Sequence, residues 1–131
     1  MEIELAKYIA SKKHAPHEWA INDCNTFMVE WHDAYYGTDW FDELQFDYDD
    51  YKSAARFHRG LPFTGEEFLQ MIGYEYSMLA PKSGDVIMEN MGPYFCAWLV
   101  LQEYAYTIHY KQGLVRTHLE EFADFTLWSK S

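Results

Sequence analysis

The chain has little of what would tie it to nucleic acid, to a bilayer or to a disulfide framework. Basic residues are scarce: 10 Lys and Arg stand against 21 Asp and Glu, for a formal net charge of -11. Proteins hold the phosphate backbone chiefly with Lys and Arg, which displace condensed counterions, so this deficit argues against a nucleic-acid partner. Excess negative charge does favour solubility. Long apolar runs are missing too. The longest, residues 94–101, falls far short of the ~20 residues that cross a bilayer, which predicts no membrane span. The opening MEIELAKYIASKK has no basic segment leading into a continuous apolar run, so no signal peptide is expected. Cysteine is down to two residues, too few for a disulfide framework and in keeping with synthesis in a reducing cytoplasm.

What is present is apolar bulk. Hydrophobic residues make up 49% and aromatics 19% of 131 residues, far above a disordered composition despite the acidity. One domain spanning 1–131 is expected, burying roughly two-thirds of the surface of its unfolded form.

Helical signals come first. Leu5, Tyr8 and Ile9 share a face over residues 2–12, and Pro16 breaks the helix beyond them. Asp23 is an N-cap candidate. Behind it Cys24, Phe27, Met28, Trp31 and Tyr35 recur at helical spacing until Gly37, which places Cys24 in a first turn. Residues 38–50, with six acids among aromatics, predict a loop. A helix over residues 51–58 comes next, and Thr64 with Glu67 has capping-box spacing ahead of another that ends at Gly73. Strand-like runs then fill residues 85–89, 95–102, 104–110, 114–117 and 125–128, with a short helical piece at 118–124. Helices before strands indicate an α+β domain whose N-terminal helices pack on a mostly antiparallel C-terminal sheet.

A helix-starting cysteine in NDCNTF, then GDVI, then adjacent strands, resembles the NlpC-type peptidases and the wider papain-like group of cysteine hydrolases. A closer resemblance is to a set of phage and prophage tail-associated proteins that share a W-x-x-x-D-C-x-x-F start, a G-D-V strand, a G-L turn and a late tryptophan. Those positions here are Trp19, Asp23, Cys24 and Phe27, then Gly84, Asp85 and Val86, then Gly113 and Leu114, then Trp128. The resemblance implies a papain-like fold with Cys24 in the place of the nucleophile. A helix N-terminus favours a thiolate and offers amide donors to an oxyanion, which gives that placement a physical reason. It further implies a histidine at the start of the strand after G-D-V, where this chain has Phe95, Cys96, Ala97 and Trp98. His109, in YTIHY, matches the next strand's polar position and is the remaining candidate base. Without a base the thiol loses roughly 10²- to 10⁴-fold of general-base assistance.

Other constellations carry less. Strand alternation turns Cys96 away from Phe95 and Ala97. It can then meet Cys24 as a disulfide or as half of a metal site, or the two thiols can stay reduced and apart, which is the expectation here. His14, His17 and Glu18 are interrupted by Pro16 and fit an exposed loop better than a metal site. Asp47, Asp49 and Asp50 lack the glycine and distal glutamate of an EF-hand loop. Neither metal nor cofactor is expected. Trp31, Tyr35, Trp98 and Trp128 are core candidates. Trp40, Phe41, Phe46 and Tyr48, among acids, either dock a partner or fold back onto the helices.

The functional expectation is a phage or prophage virion or tail-assembly component with an NlpC-like fold and lost or altered peptidase activity. It would be made in the bacterial host cytoplasm, reside in the virion and dock other virion or tail proteins. The alternative is an active cysteine hydrolase acting on bacterial peptidoglycan, and a third reading is a cytoplasmic interaction module.

Overall fold

The computed structural model describes residues 1–92 and 94–130. Five helices come first: α1 (Glu2–Ser11), α2 (Cys24–Tyr36), α3 (Trp40–Leu44), α4 (Tyr51–Gly60) and α5 (Gly65–Met71). Six strands come after them: β1 (Glu75–Ser77), β2 (Val86–Asn90), β3 (Phe95–Leu101), β4 (Tyr104–His109), β5 (Gly113–His118) and β6 (Phe125–Ser129). They form one antiparallel sheet in the order β1-β6-β2-β3-β4-β5. The α+β layout read from the residue pattern is the one observed.

Alternation along β3 divides the core. Ala97 and Leu99 face the helices and join Leu5, Phe27, Trp31, Leu69 and Trp128. Cys96, Trp98 and Val100 face the other way, where Ile87 and Leu127 complete a smaller cluster beneath Leu119 and Phe122. Helix α2 is the element that joins sheet and helices. It packs on β3 and β4, its buried face carries Phe27, Met28 and Trp31, and Tyr8 of α1 stacks on Phe27 at 5.3 Å while donating to its carbonyl at 2.6 Å.

Gly37 ends α2 in the left-handed region at φ 71°, with open space where a Cβ would stand. Gly37→Ala is therefore expected to cost about 1 kcal/mol from backbone conformation alone, as a modest fall in the urea midpoint at unchanged slope.

Several local expectations need correction. Residues 40–44 are helical rather than loop, because Asp33 of α2 reaches forward and accepts from Trp40 N–H at 2.9 Å and Phe41 N–H at 2.8 Å. The aromatics of this segment fold back: Trp40 meets Phe68 edge-on, Phe41 and Phe46 are half-buried, and Tyr48 is buried. Tyr35 is an exposed ring stacked on Trp31, not a core residue. Strand β1 was absent from the sequence pattern, and the expected helix at 118–124 shrinks to a 3-10 turn at Leu119–Glu121. Asp85 precedes β2 instead of starting it, holding a turn through Lys82 N–H and the Lys82 ammonium, each at 2.9 Å.

Candidate functional site around Cys24

Strand β3 pairs with β2 from Phe95 to Leu99, but its ladder to β4 covers only Leu99 to Leu101. The first half of β3 therefore turns backbone groups toward an opening beside β4. Side chains fill their needs: Thr107 Oγ1 donates to Ala97 O at 2.8 Å, and Asn25 Nδ2 donates to Phe95 O at 3.1 Å. The Ala97 N–H lies against the Cys24 sulfur. The start of α2 thus takes the place of a strand partner at this opening, which is why Cys24 sits against the sheet.

Asp23 fixes that start. One carboxylate oxygen accepts from Asn25 N–H at 3.0 Å and Thr26 N–H at 2.9 Å, while Thr26 Oγ1 accepts from Asp23 N–H at 2.8 Å, closing a capping box. The other oxygen accepts from Ala20 N–H at 2.9 Å and from Tyr48 O–H at 2.5 Å. Ala20 is held at φ 68°, a left-handed conformation that alanine seldom adopts. All four donors converge on a carboxylate that is only 3% exposed.

Cys24 is half-buried and packs against the cluster that holds the buried Cys96, with both thiols free. They are reduced, as expected, but that packing means they are not remote from one another. Cys96 also lies 3.9 Å from Thr107 Oγ1. The Cys96 thiol, burial and the Asp23 charge all push the Cys24 thiol well above its ordinary range, and only the Ala97 N–H favours the anion. The helix N-terminus alone would lower it. Here it is outweighed, chiefly by the neighbouring Cys96 thiol and by burial, with the anionic cap residue adding to them.

A crevice too narrow to admit a water molecule runs along Cys24 between Trp19, Tyr48, Tyr94 and His58. His58, on α4, is the histidine that the fold brings to this crevice. It stacks on Tyr94 at 5.0 Å, and its Nε2 lies 3.3 Å from Asn25 Nδ2. That amide nitrogen is a donor, so His58 Nε2 accepts and the ring is the neutral tautomer with its proton on Nδ1. Burial lowers the His58 pKa, with Asp23 opposing. Across the same wall of Asn25, His58 and Tyr94 opens a larger, mostly apolar cleft of about 580 Å³, walled by Met28, Phe46, Phe63, Phe68, Met88 and Phe95.

His109 is elsewhere. It ends β4, its Nδ1 accepts from Lys111 N–H at 3.1 Å, and among the described residues no hydrogen bond joins it to Cys24. Cys24 packs on the cluster that holds Cys96, and the hydrogen bonds of His109 go to the turn after β4. His58, Asn25 and Tyr48 were not legible as site residues, since nothing local marks a position that only tertiary packing brings to Cys24. Among the described residues, no group of three or more His, Cys, Asp or Glu side chains is placed to hold a metal ion. No helix among them is long and apolar enough to cross a membrane.

Residues 1–125 match the family described as Domain of unknown function (DUF6950), and the chain belongs to that family. No curated protein matches it.

Proposed function

We propose that this chain is an NlpC-related, papain-like domain from a phage or prophage, acting in the virion or during tail assembly by docking other proteins, with its peptidase chemistry lost. One observation carries the chemical half of this reading: the side chain facing Cys24 from β3 is a second thiol, where the resemblance calls for a base. A thiol needs a proton acceptor to attack a carbonyl at neutral pH, and Cys96 supplies none. Docking has support in the 580 Å³ cleft, whose apolar wall is rimmed by Arg59, Glu67 and Asn90. Such a cleft is suited to an apolar anchor from a partner, with rim charges guiding approach.

The hydrolase alternative rests on His58, which borders the crevice that holds Cys24. For His58 to serve as a base, Nε2 must first leave Asn25. Purified protein is therefore expected to release no peptide or amide product from peptidoglycan fragments in a Cys24-dependent way. Turnover abolished by both Cys24→Ala and His58→Ala would replace the docking reading with the hydrolase one. The docking half is tested separately by cross-linking in purified particles: a partner cross-linked at the cleft supports it, and absence of the chain from particles refutes the virion assignment.

A further inference from the structure

We propose that Cys24 and Cys96 form a reversible intramolecular disulfide that locks the start of α2 onto β3. Three observations carry it. Both thiols are free, and Cys24 packs on the cluster that contains Cys96. They are the only two cysteines in the chain, so a single intramolecular pairing exists and no reshuffling competes with it. They also differ in access: Cys24 is half-buried, whereas Cys96 is 7% exposed. An incoming disulfide thus meets Cys24 first and leaves Cys96 to resolve the adduct.

The oxidant is a low-molecular-weight disulfide. Cys24 loses its proton and its sulfur attacks one sulfur of that disulfide; the S–S bond breaks and one small thiolate leaves, taking up a proton. Cys96 then loses its proton and attacks the Cys24 sulfur, and the second small thiolate leaves. The protein pair is oxidised by two electrons, and the small disulfide is reduced to two thiols. The neighbours that keep Cys24 protonated slow the first step near neutral pH, so the rate should climb about tenfold per pH unit while the thiolate remains the minor form. They also withhold the thiolate stabilisation that makes some protein disulfides strongly oxidising, and this favours the bonded state at equilibrium. The inference is independent of the docking reading and concerns the thiol pair whether or not the chain enters particles. Its consequence is functional all the same, because a bonded Cys24 has no nucleophile left to offer.

Folded wild-type chain in buffers of oxidised and reduced glutathione, tracked by intact mass and peptide mapping, tests it. The expected result is a species lighter by two hydrogens, its bridge mapped to Cys24 and Cys96, that returns to the starting mass with excess dithiothreitol. Its Tm should stand about 5–15 °C above that of the reduced chain, since the bond closes a long loop. A stable glutathione adduct on Cys24 as the end product would overturn the proposal, because it would mean that Cys96 cannot reach the adduct. So would a chain that stays reduced at every glutathione ratio while the same chain, unfolded in urea, oxidises. The wild-type readout needs no variant. Cys96→Ala, where it folds, should stop at the glutathione adduct.

Discussion

Asp23→Ala is expected to destabilise the fold by roughly 2–4 kcal/mol, the sum of a lost N-cap at about 1 kcal/mol and a buried hydroxyl and amide left without their acceptor at about 1–3 kcal/mol. The carboxylate holds four donors from three places in the chain: Ala20, the first turn of α2, and Tyr48. Tyr48 is 7% exposed, so water cannot readily replace the lost acceptor. Ala20 would also lose the bond that holds it at φ 68°, freeing the 18–22 turn. For a domain of this size the loss corresponds to a Tm fall of about 7–15 °C. Asp23→Asn should cost less, because one amide oxygen can still cap α2. Urea unfolding of both variants checks the order, and an alanine variant within about 1 kcal/mol of wild type would show that the convergence on Asp23 contributes little.

The second large effect is acid sensitivity centred on His32. This ring is 2% exposed, its Nδ1 lies 3.0 Å from Thr38 Oγ1, and its Nε2 is buried with no hydrogen-bond partner among the described residues. Burial, helped by the nearby Lys130 ammonium and opposed by Asp33, lowers its pKa from 6.5 to about 4. Between those values the unfolded chain takes up a proton that the folded chain refuses. The unfolded state therefore binds more protons, and stability falls as pH falls through this window. The shift corresponds to roughly 3 kcal/mol lost between about pH 6.5 and pH 4. His58 and His17, also lowered by burial, add loss in the same direction. Urea unfolding at steps across this range should show the slope, and His32→Gln, which cannot charge, should flatten most of it. An unchanged slope in that variant would remove His32 as the cause.

Where a signal was local, the sequence carried it. The spacing of Phe27, Met28 and Trp31 behind Asp23 marks the buried face of α2, though Thr26, Val29 and His32 are buried there as well, and Thr64 with Glu67 caps α5 as its spacing implies. Alternation along β3 likewise separates Ala97 and Leu99 from Cys96 and Trp98. Helix α3 was missed because its cap comes from Asp33, inside the preceding helix, while Asp39 at the usual position makes no capping bond. Strand β1 is three residues long and exists through its pairing with β6, a partner some fifty residues away. The contact of Cys24 with Cys96 depends on the β3–β4 ladder ending at Leu99, a register that no periodicity encodes. His109 stands on β4 with its Nδ1 engaged by the turn after that strand, and His58 reaches the crevice through a tertiary contact with Asn25 that no local pattern encodes.

The central claim is that Cys24 faces a thiol and an anion instead of a base. Its most direct test is the pH dependence of Cys24 alkylation by iodoacetamide in the reduced chain, with the modified residue located by mass spectrometry. The midpoint should lie above the ordinary thiol value of about 8.5 and should fall in Cys96→Ala, because Cys96 is the largest influence holding the proton. A midpoint at or below pH 7 that rises in His58→Ala would contradict it, showing that His58 and Cys24 share a proton and that the catalytic pair is intact.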